Sequence, residues 1–517
     1  MIGNMMHRRS FLYSSAAAAT LLTARGGLAQ TTEESGVSLL ERARNLALQP
    51  YEAPDRELPA PFANLNYDAY RGIRPLPGRA SMLELGKDYA VDLLPPGLFF
   101  QTPVTIDLVS DTGIEPFAFS PDLFSFDLRY FDEIPSVSPG AGFSGLRLRT
   151  PLNSPEDMNE FLVIQGASYF RAIGRDMVYG LSARSVALGT GGQGAEEFPE
   201  IRHLRLYPPV DASVRVEGLI DSPSLTAHID MTTTPGDDTR QAISVTLFPR
   251  ETLDTIGVAP LTTMYFKGPL RSSVGDDFRP AVHDSDVLVV ENGVGETLWR
   301  PISNPATVQA SAFSDSNPHS FGLYQSDRSF AAFQDTEAHY NHRPSARVEP
   351  RGEWGKGAVT LIEIPTADEF MDNIVAFWRP EDPLEKGSEH RFDYDLVWTL
   401  APASVKGTHI MQTRSGIDPI DQEVLQFVVD FENLPKDAWP ELKATDGAEL
   451  SEPVLLALPA GAYASNDAAA KPTRVAFRLR PGKVEQVDLR LVMRNAENVA
   501  LAPVWLHRWT RARDGGV

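Results

Sequence analysis

The sequence predicts an all-β protein, on three observations. Most segments beyond residue 50 are short runs of alternating apolar and polar residues, as at 104–108, 214–220 and 242–247. A period of two marks strands with one buried face. The runs are punctuated by 38 glycines and 41 prolines, which suits antiparallel sandwiches or barrels better than alternating strand–helix units. Helical spacing is scarce; its best instance is 38–48, where Ser38 stands at the N-cap position before apolar residues at helical intervals.

In chain order, His7-Arg8-Arg9-Ser10-Phe11-Leu12 precedes a small-residue apolar run at 14–22 and then Gly27-Leu28-Ala29. This order reads as a twin-arginine export signal, 1–29, cleaved after Ala29. The run is too short and alanine-rich for a bilayer span, which needs about 20 strongly apolar residues, so no stable membrane insertion is expected. Cysteine is absent, which rules out disulfides and thiolate–metal sites. That fits a chain that folds in the reducing cytoplasm before export.

At 517 residues the chain exceeds what one hydrophobic core usually serves, so two domains are expected. The strand-like run 392–400 leads into Ala401-Pro402-Ala403 and a polar, poorly periodic stretch to Asp421. The boundary is placed there: a large domain over 36–401, a linker over 402–420, and a small domain over 421–517. Clean alternation at 424–432, 474–480 and 484–494, with a length of roughly 100 residues, matches an immunoglobulin-like sandwich. The formal charge of −22 argues against nucleic acid or an anionic membrane as partner, since either needs a basic face. A neutral polymer meets no such penalty.

Chemistry concentrates between 275 and 380. One acidic cluster is His283-Asp284-Ser285-Asp286; another, Asp368-Glu369-Phe370-Met371-Asp372, precedes the apolar run 374–378, which ends in Phe377-Trp378. Cleaving a glycosidic bond takes one protonated carboxyl, one ionised carboxylate and flat apolar faces for sugar rings, and this stretch holds all three. Asp372, at the edge of a buried strand, is placed for a desolvated, raised pKa, although aspartate at such a position more often closes a strand-end turn. Asp284 has Arg279 and His283 nearby to keep it ionised; an Asx turn, a surface ion pair and a cation site compete with that reading. Asp286 is the alternative base, and Glu369 either supports Asp372, contacts sugar or closes a turn. Among the interleaved aromatics and arginines, Tyr340, Trp354, Tyr324 and Arg343 are the expected sugar contacts. His339 and His342 are spaced by three, but Pro344 and the lack of a third ligand argue against a metal. No metal and no cofactor is expected.

Together with Gly166-Ala167-Ser168-Tyr169-Phe170-Arg171, Phe278-Arg279-Pro280, Trp299-Arg300-Pro301, Phe321-Gly322-Leu323 and the stretch from Asn373 to Pro380, these residues resemble the periplasmic glucans biosynthesis protein G/D family, nearer its twin-arginine-exported D type. The resemblance covers nearly the whole mature chain. It implies a large mutarotase-like β-sandwich (supersandwich) followed by a small immunoglobulin-like one, in a periplasmic protein that binds β-1,2-glucan; a homodimer is a separate expectation, not one the resemblance supplies. It further implies inverting endo-β-1,2-glucanase activity, with Asp372 as general acid, Asp284 as base acting directly or through a relay, and Tyr340 near the cleaved unit. A non-catalytic glucan-binding or assembly factor is the main alternative, and a lyase or epimerase on the same fold a third.

Overall fold

In a computed structural model of the protein, the described residues are 37–131, 141–192, 194–270, 277–445, 447–459, 462–463 and 472–514. The export signal expected over 1–29 lies outside them. Ser38–Val517 forms one compact unit.

Alternation becomes sheet almost throughout. Among the described residues, an 11-stranded and a 14-stranded sheet make up most of the unit. The runs at 104–108, 214–220 and 242–247 are strands Thr105–Ser110, Val214–Asp221 and Thr239–Pro249 of the larger sheet. The two sheets share one core, to which the first contributes Leu146, Leu162, Leu361 and Trp378 and the second Leu204, Ile243, Leu396 and Trp398. This is the expected sandwich, built by burying the apolar face of each sheet against the other. Helix Leu39–Ala47 forms as expected, with the Ser38 side chain accepting from the Glu41 N–H. It docks on the larger sheet by burying Leu39 and Ala43 against Leu219 and Phe248.

The C-terminal strands make a smaller sandwich. His409–Ile417, Leu425–Glu432 and Thr473–Arg480 belong to a five-stranded sheet, counted among the described residues. Opposite, Trp439–Ala444, Gln486–Arg494 and Val504–Thr510 extend the 14-stranded sheet through a parallel pairing of Leu298 and Trp299 with Val504 and Trp505. Between them Phe427 stacks on Phe477, with Trp505 edge-on to both. Val287, Trp299 and Tyr324 from the preceding region enter this same core, so the small sandwich is fused to the large one through continuous sheet and shared apolar packing.

Candidate active site

The site hangs from residues 264 and 265. Strand Ile374–Pro380 is paired on both edges, with Ile256–Thr263 and Lys356–Glu363; Ile374, Ala376 and Trp378 enter the main core and Val375 and Phe377 a second apolar cluster on the opposite face, so both its faces are covered, which explains its unbroken apolar run. Just before it, the fully buried Asn373 accepts from the Tyr265 N–H at 2.8 Å and donates to the Tyr265 and Ile364 carbonyls at 3.0 and 2.9 Å. An amide meets one N–H and two carbonyls there, so the chain is fixed where Asp372 leaves the strand. From the other side, the Asp284 N–H donates to the Met264 carbonyl at 2.9 Å, next to the bridge pairing Tyr265 with His283. Adjacent backbone groups therefore anchor both carboxylates that the sequence singled out.

The two carboxyls interact through space and share no hydrogen bond. The Asp284 carboxyl is almost wholly buried and ion-paired with Arg343; burial pushes it up to about 6 against the pull of Arg343, and the charge of Asp372 pushes in the same direction. Asp372 keeps about a third of its side chain open to solvent. Its carboxyl is nevertheless raised, chiefly by desolvation and against the pull of Arg171, Arg184 and Arg343. Crowding on most sides with solvent on one is the condition of a group in a recess.

Arginines line that recess. Arg171 reaches to 3.6 Å from Asp372. It belongs to strand Tyr169–Ala172, where Phe170 and Ala172 enter the core and Tyr169 and Arg171 face outward. Arg184 is buried, ion-paired with Glu196 at 2.6 Å and stacked over the Tyr169 ring at 5.2 Å. Arg343 lies over the Tyr340 ring at 4.4 Å and donates to the Ala338 carbonyl. Gly180 makes room for it, since a Cβ there would meet the Arg343 side chain at 2.8 Å.

The sequence expectations meet this geometry unevenly. Asp284, Asp372 and Arg343 come together. Arg279, expected beside Asp284, instead pairs with Asp277 at 2.9 Å, Asp335 at 3.1 Å and Glu369 at 2.8 Å, so the counter-charge of Asp284 is Arg343. Glu369 also accepts from the Tyr340 hydroxyl at 2.9 Å, which commits that hydroxyl to the protein. Asp286 turns away from the pair and accepts from the Ser326 N–H and hydroxyl; burial pushes it up to about 6. Trp354 and Tyr324 correct the sequence reading, because both are core residues with no ring face left for sugar. Trp354 packs against Trp378, Phe392 and Tyr394 and donates to the Asp393 carbonyl, while Tyr324 is buried in the smaller core. His339 and His342 flank a turn, rings 6.3 Å apart, and among the described residues no group of three or more His, Asp or Glu could hold a metal.

Sequence reasoning missed Asn373, Arg184 and the placement of Arg171. The signal for Arg171 was the alternation through 169–172; Asn373 and Arg184 left none, because their roles depend on partners far along the chain.

Fold and site together define an all-β sandwich protein with two desolvated carboxylates in an arginine-lined recess. The chain belongs to the family described as periplasmic glucan biosynthesis protein, MdoG, whose model matches residues 35–509. It is similar to "Glucans biosynthesis protein G" of Vibrio cholerae, at 40% identity over 491 residues, covering 93% of this chain and 88% of that protein. A protein of the same name from Shewanella baltica is 38% identical over 480 residues, covering 92% and 86%. Among solved structures, a galactose mutarotase related enzyme from Lactobacillus acidophilus is 11% identical and covers 50% of this chain and 91% of its own, with a TM-score of 0.19. At that score the superposition adds nothing to the sheets described above. Among the described residues no helix is long and apolar enough to cross a membrane.

Proposed function

We propose that this protein is an inverting endo-β-1,2-glucanase acting on the backbone of periplasmic glucans, with Asp372 as general acid and Asp284 as general base. The observation that carries this reading is the pair itself: two carboxyls anchored from adjacent backbone positions, both raised, the charge of Asp372 helping to raise Asp284, and no hydrogen bond between them. A raised, partly open carboxyl is suited to holding a proton and handing it to the glycosidic oxygen. Once Asp372 has given up its proton, Arg171 neutralises the carboxylate formed. Asp284, with its pKa near 6, is ionised at neutral pH and accepts a proton from the attacking water, directly or through a relay of waters and sugar hydroxyls. An inverting enzyme seats that water between its two carboxyls.

The ion pair of Arg343 with the deeply buried Asp284 favours a second reading, a glucan-binding or assembly factor in which Asp284 is structural. Proton NMR of products released from linear β-1,2-glucan separates the two. Hydrolysis with inversion gives short oligosaccharides whose new reducing ends are first α-anomers; an assembly factor releases none. Further parts of the proposal are twin-arginine export to the periplasm through Arg8 and Arg9, kinship with the D type, a domain boundary within 402–420, and homodimer formation.

A further inference from the structure

Next to the turn that carries Asp284, and lined by His283 and Asp286, lies a cavity of about 340 Å³. It opens between segment 280–333 and strand His409–Ile417 of the five-stranded sheet. One of its lining rings, Phe333, stacks on Tyr340 at 5.9 Å and meets His283 edge-on at 5.0 Å. Neither Asp372 nor Asp284 is among its lining residues.

The chemistry of that lining is incomplete as it stands. Gln412 is 7% exposed and His283 2% exposed, yet Gln412 Oε1 and His283 Nδ1 have no hydrogen-bond partner. Buried polar atoms of this kind are rare unless something fills them. Burial holds the His283 imidazole neutral, at about 3, so its ring nitrogens comprise one donor and one acceptor. At the same cavity Asp327 and Arg414 make no ion pair with a described residue, and Asp286, whose oxygens accept from Ser326, lines it too. Phe333, Ala281 and Ala332 supply an apolar wall.

A ligand satisfying these groups must donate to carboxylate and amide oxygens, accept from a guanidinium, and offer an apolar face. Two carboxylates disfavour an anion, while Arg414 and the apolar wall disfavour a cation. A neutral polyhydroxylated ring meets every demand, and the volume lies within the range of small-molecule sites. We propose that this cavity is a second saccharide site, distinct from the carboxylate pair, that holds one or two units of a glucan. The choice of glucan rests on the functional reading above; the site itself rests on its lining.

Titration calorimetry with a short β-1,2-linked gluco-oligosaccharide tests it, using the folded Asp284→Asn/Asp372→Asn double variant so that nothing is consumed. Two sites per chain are expected. Adding Arg414→Ala, at an exposed position, or Gln412→Leu should remove one site or weaken it at least tenfold, while oligosaccharide cleavage by the corresponding single variants of the wild-type enzyme stays within twofold of wild type. One site in every form, unmoved by either substitution, overturns the cavity proposal and leaves the glucanase reading standing. Two sites without cleavage by the wild type overturns the glucanase reading and leaves the cavity standing.

Discussion

Replacing Asn373 with alanine tests whether the site is anchored as described. The substitution deletes three buried hydrogen bonds at 2.8 to 3.0 Å, each worth about 1 kcal/mol net. It also leaves the Tyr265 N–H buried without a partner, a desolvation cost of about 1–3 kcal/mol. Overlap between these two contributions puts the expected loss at about 3 kcal/mol, large for one side chain. Asp372 loses its lateral anchor as well, and a displacement of about 1 Å at a reacting group can cost on the order of 100-fold in rate. Urea unfolding gives the stability change, hydrogen exchange at the Tyr265 amide the local one, and product release the functional one. The expected result is a lower midpoint, faster Tyr265 exchange and a fall in kcat larger than any rise in KM. An unchanged Tyr265 amide with wild-type turnover would refute the anchoring argument.

Arg171→Ala removes the cation 3.6 Å from Asp372, so the acid's pKa should rise further and the alkaline limb of the pH–rate profile should move to higher pH while kcat falls; an unmoved limb counts against Asp372 as the acid. Asp284 is raised from 3.8 to about 6 in the folded protein, so its contribution to stability is fully present below about pH 4 and is lost as pH rises through 6. That loss is on the order of 3 kcal/mol by linkage. Wild type should therefore lose stability relative to Asp284→Asn between pH 4 and pH 7 in denaturant titrations, and parallel curves would contradict the assignment. Trp354→Ala empties part of the core and should cost about 3–5 kcal/mol while glucan binding per folded molecule stays unchanged; a selective loss of binding would return Trp354 to the sugar site.

What the sequence disclosed follows its local content. Period-two alternation located the strands because each has one face in the core, and the unbroken run at 374–378 stood out because its strand is covered on both faces. Ser38 announced a helix start through a hydrogen bond only three residues long. The acidic clusters were visible as clusters, but their internal roles were not. Whether Asp284 or Asp286 faces Asp372 depends on the turn between strands Val282–His283 and Val287–Glu291, and on Ser326, 40 residues away. Trp354 and Tyr324 were misread because a large ring beside arginines looks alike in sequence whether it lies over a sugar or under a sheet. The sequence could not show that Arg343 rather than Arg279 serves Asp284, since a 59-residue separation closes only in the fold.

The most direct test of the central claim is product release from linear β-1,2-glucan by the mature protein, with Asp372→Asn and Asp284→Asn compared after each is shown to be folded. The account expects short oligosaccharides from wild type and at least a 100-fold loss in both variants. Glucan binding with no cleavage by wild type, or full activity in either variant, would contradict it.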